Sequence, residues 1–407
     1  MMLRAHKIEL RTNNKQATYF AKASGAARKA YNWALEQWQK QYEAGGKPTE
    51  AALRRQLNSI KRKEFPWMLE VTKNAPQMAI MQLGDAFNNF FAKRAKYPNF
   101  RKKWIDDRFT LTNDQFAVND SRIRIPHLGW VRMRESLRYI GKIVSATISR
   151  SANKWFVSVT VEIQKPRPIA NDNQVAVGVD LGLHHFATLS TGEKITGPKP
   201  HKALMNRLRR LSRSLSRKRK GSNNRKKAKI KLSRLHYRIA NIRRDAQHQL
   251  TTRLVNDFDI IGIEDLNVKG MLRNRRLSRS IADMGFYEFR RQLEYKAPSL
   301  GKKLVVVDRW FASTKTCSRC DKKIDDLPLS VREWTCPSCF THHDREVNAS
   351  VNIEIKAVSS TVSACGASAD GAITSVIASH GALKQESNVI DIYEQRFPLA
   401  QSITHFS

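Results

Sequence analysis

Two apolar runs in this chain end in a carboxylate, and a third acidic segment opens a polar helical stretch. The runs are Val175-Ala176-Val177-Gly178-Val179-Asp180 and Ile260-Ile261-Gly262-Ile263-Glu264; the third segment is Asp344-Arg345-Glu346-Val347-Asn348-Ala349. Short apolar runs rich in β-branched residues and bounded by turn signals read as buried strands. A strand ending in an acid sets a charge at the rim of its sheet. Acids gathered at one rim repel one another unless a cation lies between them. Such clusters are how proteins bind two hard divalent metals for phosphodiester chemistry. The fold must therefore bring Asp180, Glu264 and an acid of the third segment together.

Charge names the partner class. The chain has 407 residues, with 73 Lys+Arg against 36 Asp+Glu and a formal net charge of +37. An excess this large and clustered calls for a polyanion whose phosphates neutralise it. No apolar stretch approaches the roughly 20 residues of a membrane span. Met1-Met2-Leu3-Arg4-Ala5-His6 carries no apolar signal-peptide core. The expectation is a cytoplasmic protein without a membrane partner.

Cysteine spacing supplies a second site. Cys317-Ser318-Arg319-Cys320 is followed, after fifteen residues, by Cys336-Pro337-Ser338-Cys339. Each Cys-x-x-Cys knuckle turns two thiolates toward one point, and four thiolates complete a closed, structural tetrahedral zinc site. With four cysteines present, His342 and His343 are expected to face nucleic acid or solvent. Cys365 reads as an ordinary thiol.

Periodicity divides the remainder. Lys7-Ile8-Glu9-Leu10 is a short strand, and residues 16–103 are helical, with Met78, Met81, Leu83, Phe87, Phe90 and Phe91 as a core stripe. Alternation in Arg122-Ile123-Arg124-Ile125 and from Trp155 to Ile163 marks a small antiparallel sheet or barrel, which the N-terminal strand completes. Pro166-Arg167-Pro168 is a linker. Residues 202–244 hold 18 Lys or Arg and no acid. Two leucine/isoleucine stripes broken at Gly221-Ser222-Asn223-Asn224 make this a basic helical hairpin. Beyond about residue 360 the Ser/Ala/Gly-rich chain is expected to be poorly ordered.

The segments follow the order strand, basic hairpin, strand, cysteine pairs, acidic helix, and RNase H-like nucleases place their acids on a first strand, a later strand and a helix packed against the sheet. The chain resembles TnpB, the transposon-encoded RNA-guided nuclease family related to type V CRISPR effectors. The matching segments are Gly178-Val179-Asp180-Leu181-Gly182, Ile263-Glu264-Asp265-Leu266-Asn267, Ser313-Thr314-Lys315-Thr316-Cys317 and Asp344-Arg345-Glu346-Val347-Asn348-Ala349. Asn88-Asn89-Phe90-Phe91 and Tyr97-Pro98-Asn99-Phe100 are also similar.

The resemblance implies a mixed α/β architecture: an RNase H-like (RuvC) nuclease domain with an inserted zinc ribbon, a small β-barrel wedge domain and a helical recognition domain. The expected boundaries are 1–15 and 106–168 for the split wedge, 16–105 for recognition, and 169–314 for RuvC with the hairpin 202–244. The zinc ribbon is 315–340, the third RuvC motif 341–358, and the tail 359–407. A transposon-end guide RNA would direct cleavage of double-stranded target DNA beside a short adjacent motif, with Mg²⁺ at Asp180, Glu264 and Glu346 and Zn²⁺ at Cys317, Cys320, Cys336 and Cys339. Where the family reads Asp-Arg-Asp, this chain has Glu346. The extra methylene moves the carboxylate by about 1.5 Å, against metals roughly 4 Å apart; Asp344 is the second choice for this ligand, since on a helix it points elsewhere. Nucleic-acid contacts are expected from Arg217, Lys218, Arg219, Lys220, Arg225, Lys226 and Lys227 in the hairpin. Lys73, Asn74 and Gln77 are expected beside the adjacent motif. Two other readings fit the same residues: an RNA-guided DNA-binding repressor with weakened or absent nuclease activity, and an RNA-binding protein whose RuvC-like domain is scaffold.

Overall fold

The computed structural model describes residues 1–164, 174–328 and 330–364, which fall into two compact units, Met1–Lys165 and Pro166–Ser407. The linker Pro166–Pro168 and Cys365 lie outside the described residues.

The first unit begins with β1 (Met2–Arg11), followed by helices α1 (Asn14–Glu43), α2 (Glu50–Glu64) and α3 (Asn74–Phe91). The strands β2 (Arg108–Thr112), β3 (Ala117–Asn119), β4 (Arg122–Ile125), β5 (Gly129–Met133), β6 (Lys142–Ser151) and β7 (Lys154–Ile163) complete it. They form a seven-stranded antiparallel sheet in the order β2-β6-β7-β1-β5-β4-β3. Among the described residues no ladder joins β2 to β3. β1 pairs with β7 from Met2↔Ile163 to Leu10↔Trp155 and with β5 at Leu10↔Met133, so the helices are inserted into the sheet. A capping box starts α1: Gln16 N–H donates to Asn13 Oδ1, and Asn13 N–H to Gln16 Oε1. Phe20 of α1 lies 5.3 Å from the Trp155 ring and 6.0 Å from Phe109, joining helix and sheet in one core. Phe87 of α3 stacks on Trp38 at 4.1 Å. The expected aromatic stripe is core at Phe87, whereas Phe91 is exposed. Helical order ends at Phe91 rather than 103, and positive φ at Lys93 marks the departure.

The second unit is a five-stranded sheet in the order β10-β9-β8-β11-β12. Its strands are β8 (Ala176–Asp180), β9 (Ala187–Leu189), β10 (Lys194–Ile195), β11 (Ile260–Glu264) and β12 (Lys303–Val307). β8, β11 and β12 run parallel, and β9 and β10 extend the β8 edge antiparallel. Between β10 and β11 come α4 (Pro200–Ala203), α5 (Met205–Ser216) and α6 (Asn223–Asp257). The basic hairpin is thus longer than expected. α6 runs thirteen residues past 244, because Leu250, Leu254 and Val255 continue its apolar seam into the sheet's core. α7 (Val268–Met271), α8 (Ser278–Met284) and α9 (Phe286–Ser299) follow β11. The ribbon hairpin β13 (Glu333–Thr335) and β14 (His342–Asp344) leads into α10 (Arg345–Ala364). The expected tail therefore starts inside a helix at 359–364; its remainder lies outside the described residues.

Two glycines let α10 lie close to the sheet. Gly178 and Gly262 are register partners on β8 and β11. A Cβ at Gly178 would lie 1.9 Å from Ser350 O, and one at Gly262 would lie 2.9 Å from Ala357 Cβ. Hydrogen as side chain at both positions admits the helix backbone, and with it the start of α10. No helix among the described residues is long and apolar enough to cross a membrane.

Candidate active site

Asp180 and Glu264 are the last residues of adjacent parallel strands. The register Ile263↔Val179 sets both at the carboxyl rim of the sheet. Glu346 is the second residue of α10, and its charge reaches the same place. Burial, then Glu264 and then Glu346 push the Asp180 carboxyl up to about 7, against a smaller pull from Leu181 N–H and Arg345. Three carboxylates from three elements therefore share one field. An all-oxygen donor set is the kind that hard divalent cations take.

Glu264 and Glu346 each have a holder. Ser313 Oγ donates to Glu264 Oε1. Glu346 Oε2 lies 2.8 Å from His185 Nδ1 and accepts from Thr188 Oγ1 at 3.3 Å, while Arg332 Nη1 donates to Oε1 at 3.2 Å. The longer glutamate thus has partners along its full reach. Sequence reasoning missed Ser313, His185, Thr188 and Arg332. His185 carried one signal, the doubled His184-His185 just after Asp180.

Asp344 has other partners. Its Oδ1 accepts from Glu346 N–H and Val347 N–H at 3.0 Å each, and Oδ2 accepts from Lys194 Nζ at 2.6 Å. Burial alone would raise this carboxyl, but Lys194 and the two backbone donors hold it below the ordinary range. Asp344 caps α10 and aims the helix start that carries Glu346.

The four cysteines converge. Their sulfurs all lie within 4.8 Å of one another, with Cys317–Cys339 and Cys320–Cys336 each at 3.6 Å. Tetrahedral zinc with sulfur at about 2.3 Å spaces its thiolates roughly 3.8 Å apart, so the set fits. His343 corrects the expectation. It is 7% exposed, packs at a tilt against the Trp334 ring at 4.7 Å, and places Nε2 3.1 Å from Cys317 Sγ. β14 alternates, so His342 faces out while His343 faces the knuckles.

The basic residues divide. Arg217, Arg219, Lys220, Lys226 and Lys227 are exposed around the hairpin turn. Arg209, Arg210, Arg213, Arg217 and Lys218 line an open groove of about 570 Å³. Arg225 is part of the turn itself, its guanidinium donating to Leu215 O and Lys218 O at 2.8 and 2.9 Å. In the first unit, Lys73 is exposed and Gln77 half-buried at the start of α3. Asn74 is 2% exposed and gives its amide to Thr112 Oγ1 at 2.5 Å, so its side chain is an internal tie rather than a reader of bases.

Three family profiles match successive parts of the chain. Residues 158–275 match OrfB_IS605, described as "Probable transposase"; 286–353 match the Cas12f1-like TNB domain; and 1–47 match the HTH_OrfB_IS605 helix-turn-helix domain. In this chain the last segment folds as β1 and one long helix. A Streptomyces pristinaespiralis protein named "Putative RNA-guided DNA endonuclease" is 40% identical over 378 residues, covering 89% of this chain and 91% of its own. "Putative RNA-guided DNA endonuclease InsQ" of Escherichia coli K12 is 34% identical, covering 89% and 94%. Among solved structures, the Cas12f1-sgRNA-target DNA complex shares the fold at a TM-score of 0.56 and 14% identity, over 84% of this chain and 83% of that one. With acid-tipped strands, a capped acidic helix and paired cysteine knuckles in the order its motifs require, and with full-length relatives at this level of identity, the chain belongs to the TnpB family.

Proposed function

We propose that the protein is an RNA-guided DNA endonuclease of transposon origin, and that Asp180, Glu264 and Glu346 form its metal-binding centre. The observation that carries this is the field at Asp180: a strand-end carboxyl pushed up to about 7 by burial and by two other acids. That arrangement is strained without a cation and relieved with one. Divalent ions bound there, Mg²⁺ by expectation, would supply a water nucleophile and stabilise charge on the leaving oxygen. Asp180, Glu264 and Glu346 would hold the ions, and Asp180 is the acid that feels both of the others. Ser313 holds Glu264; His185, Thr188 and Arg332 hold Glu346; Asp344 holds the helix. The thiolate set is a structural zinc site. The seven-stranded sheet serves as the split wedge around the α1–α3 recognition domain. Lys73 and Gln77 approach the adjacent motif, where an amide can read an adenine edge. The hairpin residues Arg217, Lys218, Arg219, Lys220, Lys226 and Lys227 grip guide or heteroduplex phosphates, while sequence is read by base pairing to the guide.

One observation favours a second reading, a guided DNA-binding repressor. Glu346 stands where the family has aspartate, and its oxygens already have cationic and hydroxyl partners. Incubating the protein and its co-purified RNA with Mg²⁺ and targets flanked by randomised motifs separates the two. Cleavage beside one motif is the expected result. Guided binding without cleavage in Mg²⁺ or Mn²⁺ would install the repressor.

A further inference from the structure

Residues 313–318 run from the site beside Glu264 into the first cysteine knuckle, and two asparagines of α10 fasten them. Asn348 and Asn352 are one turn apart, both almost fully buried. Asn352 Nδ2 donates to Ser313 O and Thr316 O, at 2.7 Å each. Asn348 Nδ2 donates to Thr316 O at 2.8 Å, and its Oδ1 accepts from Ser318 N–H at 2.9 Å. Both amides thus bond to backbone of this one segment. Ser313, itself 3% exposed, points its hydroxyl at Glu264 Oε1.

We propose that Ser313 is the positioning residue for Glu264, and that Asn348 and Asn352 lock it between α10 and the first knuckle. The proposal rests on the reading of Glu264 as a metal ligand. A glutamate at a strand end has three rotatable side-chain bonds. A hydroxyl donor with a fixed backbone removes that freedom, and a hydrogen bond to an ionised acceptor is among the stronger kind. Partners that orient a ligand in this way typically affect metal affinity by 10–100-fold. The same fastening ties α10, which carries Glu346, to the knuckle, so the cysteine site braces two of the three carboxylates.

The test is Mn²⁺ binding, followed by electron paramagnetic resonance on the full chain with its co-purified RNA. Ser313→Ala should weaken Mn²⁺ about tenfold, with little change in melting temperature. Ser313→Thr, which keeps the hydroxyl, should recover most of the affinity. Unchanged Mn²⁺ affinity in Ser313→Ala overturns the proposal, as does Ser313→Thr binding no better than Ser313→Ala. Asp180→Ala is the control. If it weakens Mn²⁺ while Ser313→Ala does not, positioning alone fails. If neither changes binding, the carboxylate centre fails and the proposal with it.

Discussion

The four thiols and the three carboxylates of the second unit solve one problem, gathering like donors, in opposite ways. The thiols come from two tight knuckles and reach contact distance, 3.6 Å. Burial pushes the Cys317 thiol up to about 12, so it ionises when a metal claims it. The carboxylates come from two strands and a helix far apart in sequence, and the folded core forces them into one field before any metal arrives. Filled with zinc, the first site would contribute to folding; the second would be a cost of folding that a bound cation relieves.

Breaking the thiol side should have the largest effect. Cys317→Ser removes one of four donors from a kind of site whose apparent binding free energy is about 10–16 kcal/mol in small zinc domains. Elemental analysis should show zinc lost, and calorimetry should show early unfolding of the ribbon. A variant that melts like the parent with zinc still bound would remove the metal from the fold's stability.

The carboxylate side should respond to pH and metal together. Asp180 has a folded value of about 7 against an ordinary 3.8, so the folded chain keeps a proton that the unfolded chain releases. Its contribution is full below the unfolded value and is lost as pH rises through about 7. Without divalent ions, the melting temperature should fall between about pH 5 and about pH 8. Adding Mg²⁺ should restore it at the higher pH and do little at the lower. Equal Mg²⁺ stabilisation at both would separate Asp180's titration from the metal.

The contrast also explains what could be read from the chain. Knuckle spacing is local, so Cys317, Cys320, Cys336 and Cys339 were legible as a set, and the acid-ended runs marked Asp180 and Glu264. Ser313, His185, Thr188 and Arg332 were not, because each reaches its acid through tertiary packing that no short window contains. His343 was misread for a related reason. Four cysteines complete the ligand count, and the count is silent on what hydrogen-bonds to the sulfurs. Asn74 was misread because a polar residue opening a helix looks solvent-facing until Thr112 appears across from it. The length of α6 was hidden because the basic run stops at Arg244, while the helix continues on Leu250, Leu254 and Val255.

Asp344 gives the smallest and sharpest effect. If it caps α10 and binds no metal, Asp344→Asn should cost about 1 kcal/mol or less and leave cleavage within a few-fold. Abolished cleavage with an unchanged melting temperature would make Asp344 the third ligand and return Glu346 to its His185 and Arg332 partners.

The central claim is that the shared field at Asp180 is a catalytic metal centre in a guided nuclease. Its most direct test pairs two readouts on one variant, Asp180→Ala with co-purified RNA and a matched target. The account predicts cleavage reduced below detection while guided binding to the same DNA stays within about twofold, because base pairing and phosphate contacts carry binding. Cleavage that survives in Asp180→Ala, at the parent's rate and the same positions, would contradict it.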